Sequence, residues 1–388
     1  MQDEEQRALL RRALDLIERG ASERGEPGLS PVARYLDPQR HAQEIERVFR
    51  THPIALCPSA RLAQPGDSFA IDVAGMPLLL VRGEDGVLNG FVNACRHRGA
   101  RLQSPGHHAD RRVLVCPYHS WTYGLDGALR GRPSPEDFPH APPHECALAR
   151  VPVGEAIGFS WAIPRLLPLG EAPHLDLRTW LGRFGEDLRH WGYDGWVPFH
   201  QRTFANAANW KLPFEGNLET YHFQYAHRTT IAGLFYDNLL VADHEGAHQR
   251  LFLPKRSIET LRGRPGSDWK VGPHSNIIYF FFPATFILHE GDHCNAFTVL
   301  PQAVDRSAVL ATTLVPEQPR TPKAINYWQK NVASFWGALD EDFALGASVQ
   351  STLASGANAA LRLGATESCA RKFHDDVEAL LRPAPLQA

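Results

Sequence analysis

The first twenty residues repeat apolar side chains every three or four positions, which is the pattern of an amphipathic helix. Asp3 would be the N-cap of this helix and Gly20 its stop. A link punctuated by proline and glycine follows at residues 27–40, and residues 41–50 predict a second, short helix. The apolar face of the first helix consists of Leu9, Leu10, Ala13, Leu14 and Ile17.

From about residue 52 to residue 165 the pattern changes to short strands and turns. The stretch SFAIDVAGMPLLLVRGEDGVLNGFVN alternates apolar and polar positions and contains EDG as a hairpin turn. The stretch RRVLVCPYHSWTYGLDGALRG repeats this style, with LDG as its turn. The pattern therefore predicts a small β domain in this part of the chain.

The remaining segments predict a mixture of helices and strands. Residues 172–194 and 203–228 are helical or mixed, residues 273–316 are strand-like, and residues 322–382 are mostly helical. This order favours an α+β fold in which a small β domain is inserted into a larger domain.

The composition excludes some classes of partner. The chain has 388 residues, a formal net charge of −3 and 43% apolar residues, which suggests two domains or one large domain with an insert. Because the charge is near neutral, there is no electrostatic reason to expect binding to nucleic acid or to an acidic membrane surface.

No segment predicts secretion or membrane insertion. The N-terminus opens with acidic residues and lacks a continuous apolar run, and no stretch approaches the roughly 18 apolar residues of a membrane span. We therefore expect a cytoplasmic protein, in which structural disulfides are disfavoured. Four isolated cysteines then read as reduced thiols: Cys57, Cys146, Cys294 and Cys369.

Two short motifs combine a thiol with an imidazole. NACRHRGARLQ contains Cys95 and His97, and CPYHSW contains Cys116 and His119. Thiolate and imidazole ligands suit zinc or an iron–sulfur cluster. Zinc fingers usually pair Cys with Cys and His with His, whereas each half here contributes one of each. This mixed arrangement matches a Rieske [2Fe–2S] centre, in which one iron binds two Cys and the other two His.

A second candidate centre lies in NWKLPFEGNLETYHFQYAH. His222 and His227 are about 140° apart around an ideal helix, so the helix has to end or distort between them for both to reach one ion. Glu219 precedes His222 by three residues and shares its face. Two histidines and one carboxylate form the triad of non-haem Fe(II) oxygenases.

These motifs together resemble the large (α) subunit of Rieske-type ring-hydroxylating oxygenases. The resemblance covers the Rieske block, the NWK…E…YH…H segment and a late helix, FWGALDEDFALGASVQ, that supplies the third iron ligand in the family. Asp340, Glu341 and Asp342 compete for that role, and the family pattern favours Asp342. A helical stripe of Phe335, Leu339, Asp342 and Val349 would also point Asp342 inward, whereas Asp340 and Glu341 suit a solvated acidic turn.

The resemblance implies three regions. Residues 1–45 would form N-terminal helices that pack on the catalytic domain, and residues 46–165 the all-β Rieske [2Fe–2S] domain. Residues 166–388 would form the catalytic domain, an antiparallel sheet flanked by helices of the helix-grip or START-like type, which holds mononuclear Fe(II).

The implied function is that of a terminal oxygenase component. It would use O₂ to hydroxylate or oxidatively demethylate a small organic substrate of aromatic or quaternary-ammonium type. The chain shows no flavin or nicotinamide fingerprint and no plant-type ferredoxin cysteines. A separate NAD(P)H-dependent reductase, with or without a ferredoxin, would therefore supply the electrons.

In this family, Glu219 corresponds to an acid, usually Asp, that connects two metal centres across a subunit boundary. The resemblance implies a head-to-tail homotrimer in which this carboxylate accepts hydrogen bonds from His222 and from His119 of the partner subunit. Such heterologous contacts can close into a ring.

Two other functions compete with the oxygenase. A Rieske electron-transfer protein would need only the first centre, and a zinc-binding structural protein would need neither iron site. The HEGDH motif, with His289 and His293, matches the zincin pattern, but that pattern needs a helix and here follows a strand-like segment. We expect these two histidines at a strand end near the pocket, His107 and His108 in a loop, and Tyr279–Phe282 in the core.

Overall fold

The computed structural model of the chain describes residues 1–168 and 171–382. Two compact units are present: Phe49–Trp180 forms one, and Met1–Val48 forms the other together with the chain from Leu181 onwards. The smaller unit is thus an insert in the sequence of the larger one. The predicted α+β class is confirmed.

The helices and strands follow one another in this order along the chain. The α-helices are α1 (Asp3–Glu18), α2 (Ala33–Leu36), α3 (Pro38–Glu44), α4 (Leu177–His190), α5 (Leu212–Asn217), α6 (Phe223–Ala226), α7 (Pro322–Leu353) and α8 (Ser368–Leu381). The strands are β1 (Gly28–Pro31), β2 (Ile54–Pro58), β3 (Ser68–Val73), β4 (Met76–Arg82), β5 (Leu88–Val92), β6 (Gly106–His108), β7 (Leu114–Val115), β8 (Thr122–Tyr123), β9 (Leu129–Gly131), β10 (Val153–Ala156), β11 (Phe159–Ala162), β12 (Val197–Asn206), β13 (Val241–Glu245), β14 (His248–Pro254), β15 (Ser275–Phe281), β16 (Thr285–His289), β17 (Cys294–Ala303), β18 (Arg306–Val315) and β19 (Ala360–Leu363).

The unit Phe49–Trp180 is built from three small sheets. Their strand orders are β5-β4-β3-β6, β10-β11-β2 and β7-β8-β9, and the pairings are antiparallel. Phe91, Trp121 and Tyr123 are buried in its core beside Cys95 and Cys116. The two candidate cysteines are therefore part of the packing of this unit.

The larger unit is organised around a seven-stranded antiparallel sheet of order β12-β18-β17-β16-β15-β14-β13. Helix α1 packs against β13 and β14, and α7 packs against β12 and α5. Alternate aromatic residues cover one face of the sheet: the ring centroids of Phe280 and Phe286, and of Phe286 and Phe297, lie 4.9 Å apart. Such aromatic pairs contribute about 0.5–1.5 kcal/mol each beyond their buried area.

The side chains of Tyr279–Phe282 are at most 1% exposed, which confirms the prediction that this run belongs to the core. Residues 203–228, predicted as helical or mixed, begin inside strand β12 and continue through α5 and α6. The edge strand β12 alternates weakly between buried and exposed positions, so its sequence gives little strand periodicity.

Several local predictions require correction. Gln2 takes the N-cap position of α1, and Asp3 is instead the first residue of the helix. The helix predicted at residues 41–50 is α3, which begins earlier, at Pro38. It is followed by a π-helical turn over Ile45–Phe49. His107 and His108 belong to β6 rather than to a loop, because this short segment pairs with the edge of β3.

A buried ion pair connects the N-terminal segment to the segment before α5. Lys211 Nζ lies 2.7 Å from Glu44 Oε2, and both side chains are fully buried. Trp210 Nε1 donates to the same carboxylate at 2.8 Å. Burial lowers the pKa of Lys211 to about 8, although Glu44 opposes this shift. Arg40 also pairs with Glu44 at 2.9 Å, whereas the buried Lys211 ammonium depends on Glu44 for compensation.

Among the residues that the structure describes, none of the helices has both the length and the apolar character needed to cross a membrane.

Replacing Glu44 by Ala should lower the thermal unfolding midpoint by about 10 °C, because an uncompensated buried charge costs about 3–5 kcal/mol. Asp15→Ala is the control, since Asp15 pairs with Arg19 on the surface, where both side chains are about 60% exposed. We expect that variant to unfold within about 2 °C of the wild type. Equal midpoints for the two variants would contradict the assignment.

Candidate functional site

The two Cys/His motifs lie in two turns of the same local design. Cys95 and His97 follow β5, and Cys116 and His119 follow β7. In each turn the fourth residue after the cysteine adopts a left-handed conformation, at Gly99 (φ +75°) and Ser120 (φ +57°). The backbone N–H of that residue donates to the carbonyl oxygen of the cysteine, at 2.8 Å and 3.0 Å respectively. The chain thereby folds back so that the cysteine and the histidine project to the same side.

The four side chains form a thiol pair and an imidazole pair. Cys95 and Cys116 are 3% and 2% exposed, and the ring centroids of His97 and His119 are 4.6 Å apart. His97 stacks on Trp121 at 5.1 Å, and its Nδ1 atom is buried with no hydrogen-bond partner in the described part of the chain. An orphaned buried nitrogen is costly unless a further group binds it.

The environment of Cys95 also suits a thiolate that carries a cluster. The Tyr123 hydroxyl lies 3.2 Å from Cys95 Sγ. Burial raises the pKa of Cys95, and the hydrogen bond from Tyr123 lowers it. A hydrogen bond to a ligating sulfur stabilises the reduced form of a cluster, because that form carries more negative charge.

The geometry argues against a single zinc ion at these four residues. Ligand atoms bound to one zinc ion lie within about 4 Å of one another, because each is about 2.0–2.3 Å from the metal. In residues 1–168 and 171–382, the only set of three such side chains with ligand atoms within 4.8 Å of one another is His222, His227 and Asp342. Separate thiol and imidazole pairs instead fit a [2Fe–2S] cluster, whose two irons have different ligands.

The second candidate centre is assembled from helices α6 and α7. His222 precedes α6 directly, and His227 follows it as the C-cap, so the helix ends between the two histidines as predicted. Asp342 comes from the middle of α7. Its Oδ1 atom lies 3.0 Å from Nε2 of His227 and 3.5 Å from Nε2 of His222.

Carboxylates behind the two histidines fix their orientation. Nδ1 of His222 donates to Glu219, and Nδ1 of His227 donates to Glu341 Oε2 at 2.6 Å. When Nδ1 carries the proton, the Nε2 lone pair is free to bind a metal. His222 Nε2 is buried and has no hydrogen-bond partner within the described ranges, as a metal-binding nitrogen requires.

Asp342 also changes the protonation of its neighbour. Burial lowers the pKa of His227, but the hydrogen bonds and charges of Asp342 and Glu341 together outweigh this effect and raise the pKa overall. A metal ion competes with that proton for Nε2, so metal binding releases a proton.

A cavity of about 310 Å³ opens beside these three residues. Phe223, Phe235 and Phe335 line the part next to His227 and Asp342. A concave site that combines apolar walls with converging polar groups is typical of small-molecule binding. His227 and Asp342 lie on its wall, so an ion bound by them would face the contents of the cavity.

Two family models match the chain, and they cover both candidate centres. The Rieske [2Fe-2S] domain matches residues 52–146, and the catalytic domain of the ring-hydroxylating alpha subunit matches residues 193–382. The chain belongs to the Rieske-type ring-hydroxylating oxygenases, as an alpha subunit.

Curated relatives and solved structures agree with this family. The glycine betaine monooxygenase oxygenase subunit of Chromohalobacter salexigens is 28% identical over 353 residues, covering 80% of this chain and 76% of the relative. A quaternary ammonium Rieske monooxygenase in complex with L-carnitine has a TM-score of 0.76 and 22% identity, covering 92% of this chain and 96% of the other. Naphthalene 1,2-dioxygenase from Rhodococcus sp. has a TM-score of 0.75 and 18% identity, covering 98% of this chain and 99% of the other. The solved structures show that the fold is shared.

Membership in the Rieske oxygenases decides between the functions that the sequence left open. The chain is an oxygenase component with a Rieske [2Fe–2S] cluster and a mononuclear iron. A carrier with only a Rieske domain would lack the matched catalytic domain, and a zinc-binding structural protein would match neither model.

The prediction for Glu341 was wrong. It was assigned to a solvated acidic turn, but it accepts hydrogen bonds from His227 and from the hydroxyl of Thr230, the latter at 3.0 Å. Neighbouring residues on a helix differ by about 100°, so when Asp342 faces Nε2 of His227, Glu341 reaches Nδ1 of the same ring from the side. Asp340 forms an ion pair with Arg202 at 2.9 Å, away from the three ligands.

The predicted helical stripe is also only partly correct. Leu339 is buried and Phe335 lines the cavity, but Val349 is 37% exposed.

The zincin reading of HEGDH is not supported. His289 ends strand β16, and the next residues form a bend with Gly291 at φ +96°. His289 stacks on Trp191 with its ring centroid at 3.7 Å, whereas His293 lines the cavity, as expected of a strand end near the pocket.

Glu341→Ala should weaken iron binding at the mononuclear site of this Rieske oxygenase by about 10–100-fold, because His227 loses the acceptor that fixes its ring. Asp340→Ala is the control, and we expect its iron affinity to stay within about two-fold of the wild type. Iron titration of the metal-free protein measures both variants. Equal losses in the two variants would show that the acidic helix acts through its net charge.

Proposed function

We propose that this chain oxidises a small organic molecule bound in the cavity beside His222, His227 and Asp342, with electrons delivered by a separate reductase. The observation that carries the proposal is the convergence of three ligand atoms within 4.8 Å, two of them from residues that line a cavity. Relatives described as oxygenase subunits support a system with more than one component.

In this proposal the chain holds the two metal groups with different residues. Cys95, Cys116, His97 and His119 hold the Rieske cluster, and His222, His227 and Asp342 hold the iron. When bound, the cluster supplies single electrons and the iron supplies the chemistry of O₂ at the substrate.

The side chains around the iron site have three tasks. Glu219 and Glu341 hold the imidazoles with Nε2 directed at the ion. Phe223, at the cavity wall, packs beside His227 with ring centroids 5.6 Å apart and keeps water from that side of the site. The remaining cavity wall positions the oxidisable carbon, and positioning alone can supply a large share of catalysis.

Glu219 is proposed to connect the iron site to the cluster of a partner subunit. Its carboxylate is 8% exposed and accepts hydrogen bonds from the His222 ring and from the backbone N–H groups of Tyr221 and His222. Tyr221 and Tyr225 beside it are 54% and 68% exposed, and large exposed aromatic residues favour an interface. A head-to-tail trimer would place His119 of the partner subunit at this surface.

Asp342→Ala should remove about one of about three irons per chain while leaving the visible absorbance of the cluster unchanged. Substrate-dependent O₂ uptake with a surrogate reductase should fall by at least about a thousand-fold, because two imidazoles alone hold iron weakly. Asp340→Ala should keep about three irons and most of the activity. An Asp342→Ala variant with full iron and full O₂ uptake would refute the proposed site.

Glu219→Gln should keep the oligomer and both metal groups but slow the reoxidation of the cluster by about ten-fold or more. The amide retains the shape of the carboxylate but loses the charge that favours protonated Nδ1 on both imidazoles. Stopped-flow mixing of the reduced protein with substrate and O₂ measures this rate. A wild-type rate in the variant, or a fully active monomer, would exclude the route between subunits.

A further inference from the structure

The cavity beside the iron ligands has a polar end for which the oxygenase chemistry has no use. Along α7, the wall runs from Asp342 past Leu339 and Phe335 to Tyr327, a distance of about 22 Å along the helix axis. The Tyr327 hydroxyl donates to Asp292 Oδ2 at 2.6 Å. Groups near Tyr327 therefore contact the part of a substrate that is remote from the iron.

The two carboxylates at this end are already engaged with donors of the protein. Asp292 accepts from His293 Nδ1 at 2.8 Å in addition to the tyrosine. Glu290 accepts from Asn295 Nδ2 at 2.6 Å and from Asn276 Nδ2 at 3.4 Å. These hydrogen bonds fix the positions of both carboxylates, whose charges act on Lys255 from beyond ion-pair distance.

The ammonium group of Lys255 is in the opposite situation. Lys255 directly follows β14 and lines the same cavity. Within residues 1–168 and 171–382, its Nζ atom forms no hydrogen bond and no ion pair within 4.0 Å. Burial lowers the pKa of Lys255, and the more distant charges of Glu290 and Asp292 oppose this shift. A half-buried ammonium without a partner favours the binding of an anion.

A second polar atom of the cavity lacks a partner. His293 is 3% exposed, and its Nε2 atom has no hydrogen bond in the described residues, although Glu290 Oε1 lies 3.5 Å away. Asp292 holds the other ring nitrogen, so the orientation of the imidazole is fixed. Because Nδ1 of His293 donates to Asp292, its Nε2 atom is an acceptor, and of these two residues Lys255 is the one that can donate to an anion.

We propose that Lys255 binds a carboxylate group of the substrate and so selects organic acids from among small organic molecules. A hydrocarbon would leave the Lys255 ammonium desolvated and without an acceptor. A carboxylate instead forms a charge-assisted hydrogen bond with the ammonium group. The inference rests on the proposed function, since it concerns the substrate of the same iron site.

The test measures binding to the metal-loaded protein by isothermal titration calorimetry with two matched pairs of probes. Glycine betaine carries a carboxylate where choline carries a hydroxymethyl group. Benzoate carries a carboxylate where benzamide carries a carboxamide. In at least one pair, the carboxylate should bind about ten-fold more tightly than its partner. Lys255→Met should reduce this preference to within about two-fold, and Lys255→Arg should retain most of it.

Lys270→Met is the matched control, because Lys270 is 52% exposed and pairs with Asp3 outside the cavity. It should leave the preference unchanged. The proposal is overturned if neither carboxylate binds more tightly than its partner. It is also overturned if the Lys255→Met variant keeps the wild-type preference for the carboxylate. Iron content separates this result from failure of the proposed function: full iron without a carboxylate preference refutes only the role of Lys255, whereas a missing mononuclear iron refutes the oxygenase site itself.

Discussion

The proposed iron site depends on two carboxylate–imidazole hydrogen bonds, each made by the ring nitrogen opposite the one that would bind the ion. Glu219 holds His222 from within the same turn of chain, whereas Glu341 holds His227 from helix α7, more than a hundred residues later. An imidazole whose Nδ1 proton is fixed in this way presents Nε2 to the metal without having to be reoriented. Because Glu341 and Asp342 are adjacent, one rotation of α7 about its axis places Asp342 beside the two histidines. The same rotation places Glu341 where it accepts the hydrogen bond from His227.

Helix α7 therefore determines two properties at once. The setting that directs Asp342 to the iron also directs Leu339, Phe335 and Tyr327 along the cavity. Its rotation is fixed by buried side chains on the same helix, among them Trp336 and Phe343. A substitution that changed the packing of either aromatic residue would move the metal site and the substrate wall together, since tightly packed interiors transmit strain.

The sequence predicted what depends on short spacings. The paired C-x-H and C-x-x-H motifs, the break in the helix between His222 and His227, and the strands of residues 273–316 all follow from local patterns. The role of Glu341 could not be read in this way, because it depends on the meeting of α6 and α7 in space. Strand β12 was missed since its exposed edge weakens the alternation of apolar and polar residues.

The two-stranded sheet formed by β1 and β19 has a consequence for synthesis of the chain. Gly28 pairs with Leu363, and the whole of the smaller unit is encoded between them. At about 5–20 residues per second, the ribosome needs tens of seconds to reach the second strand after completing the first. During that time β1 has an unpaired edge, while Phe49–Trp180 has all of its own sequence available for folding. The order of translation thus favours the cluster-binding unit as the first to fold, with the iron site completed last.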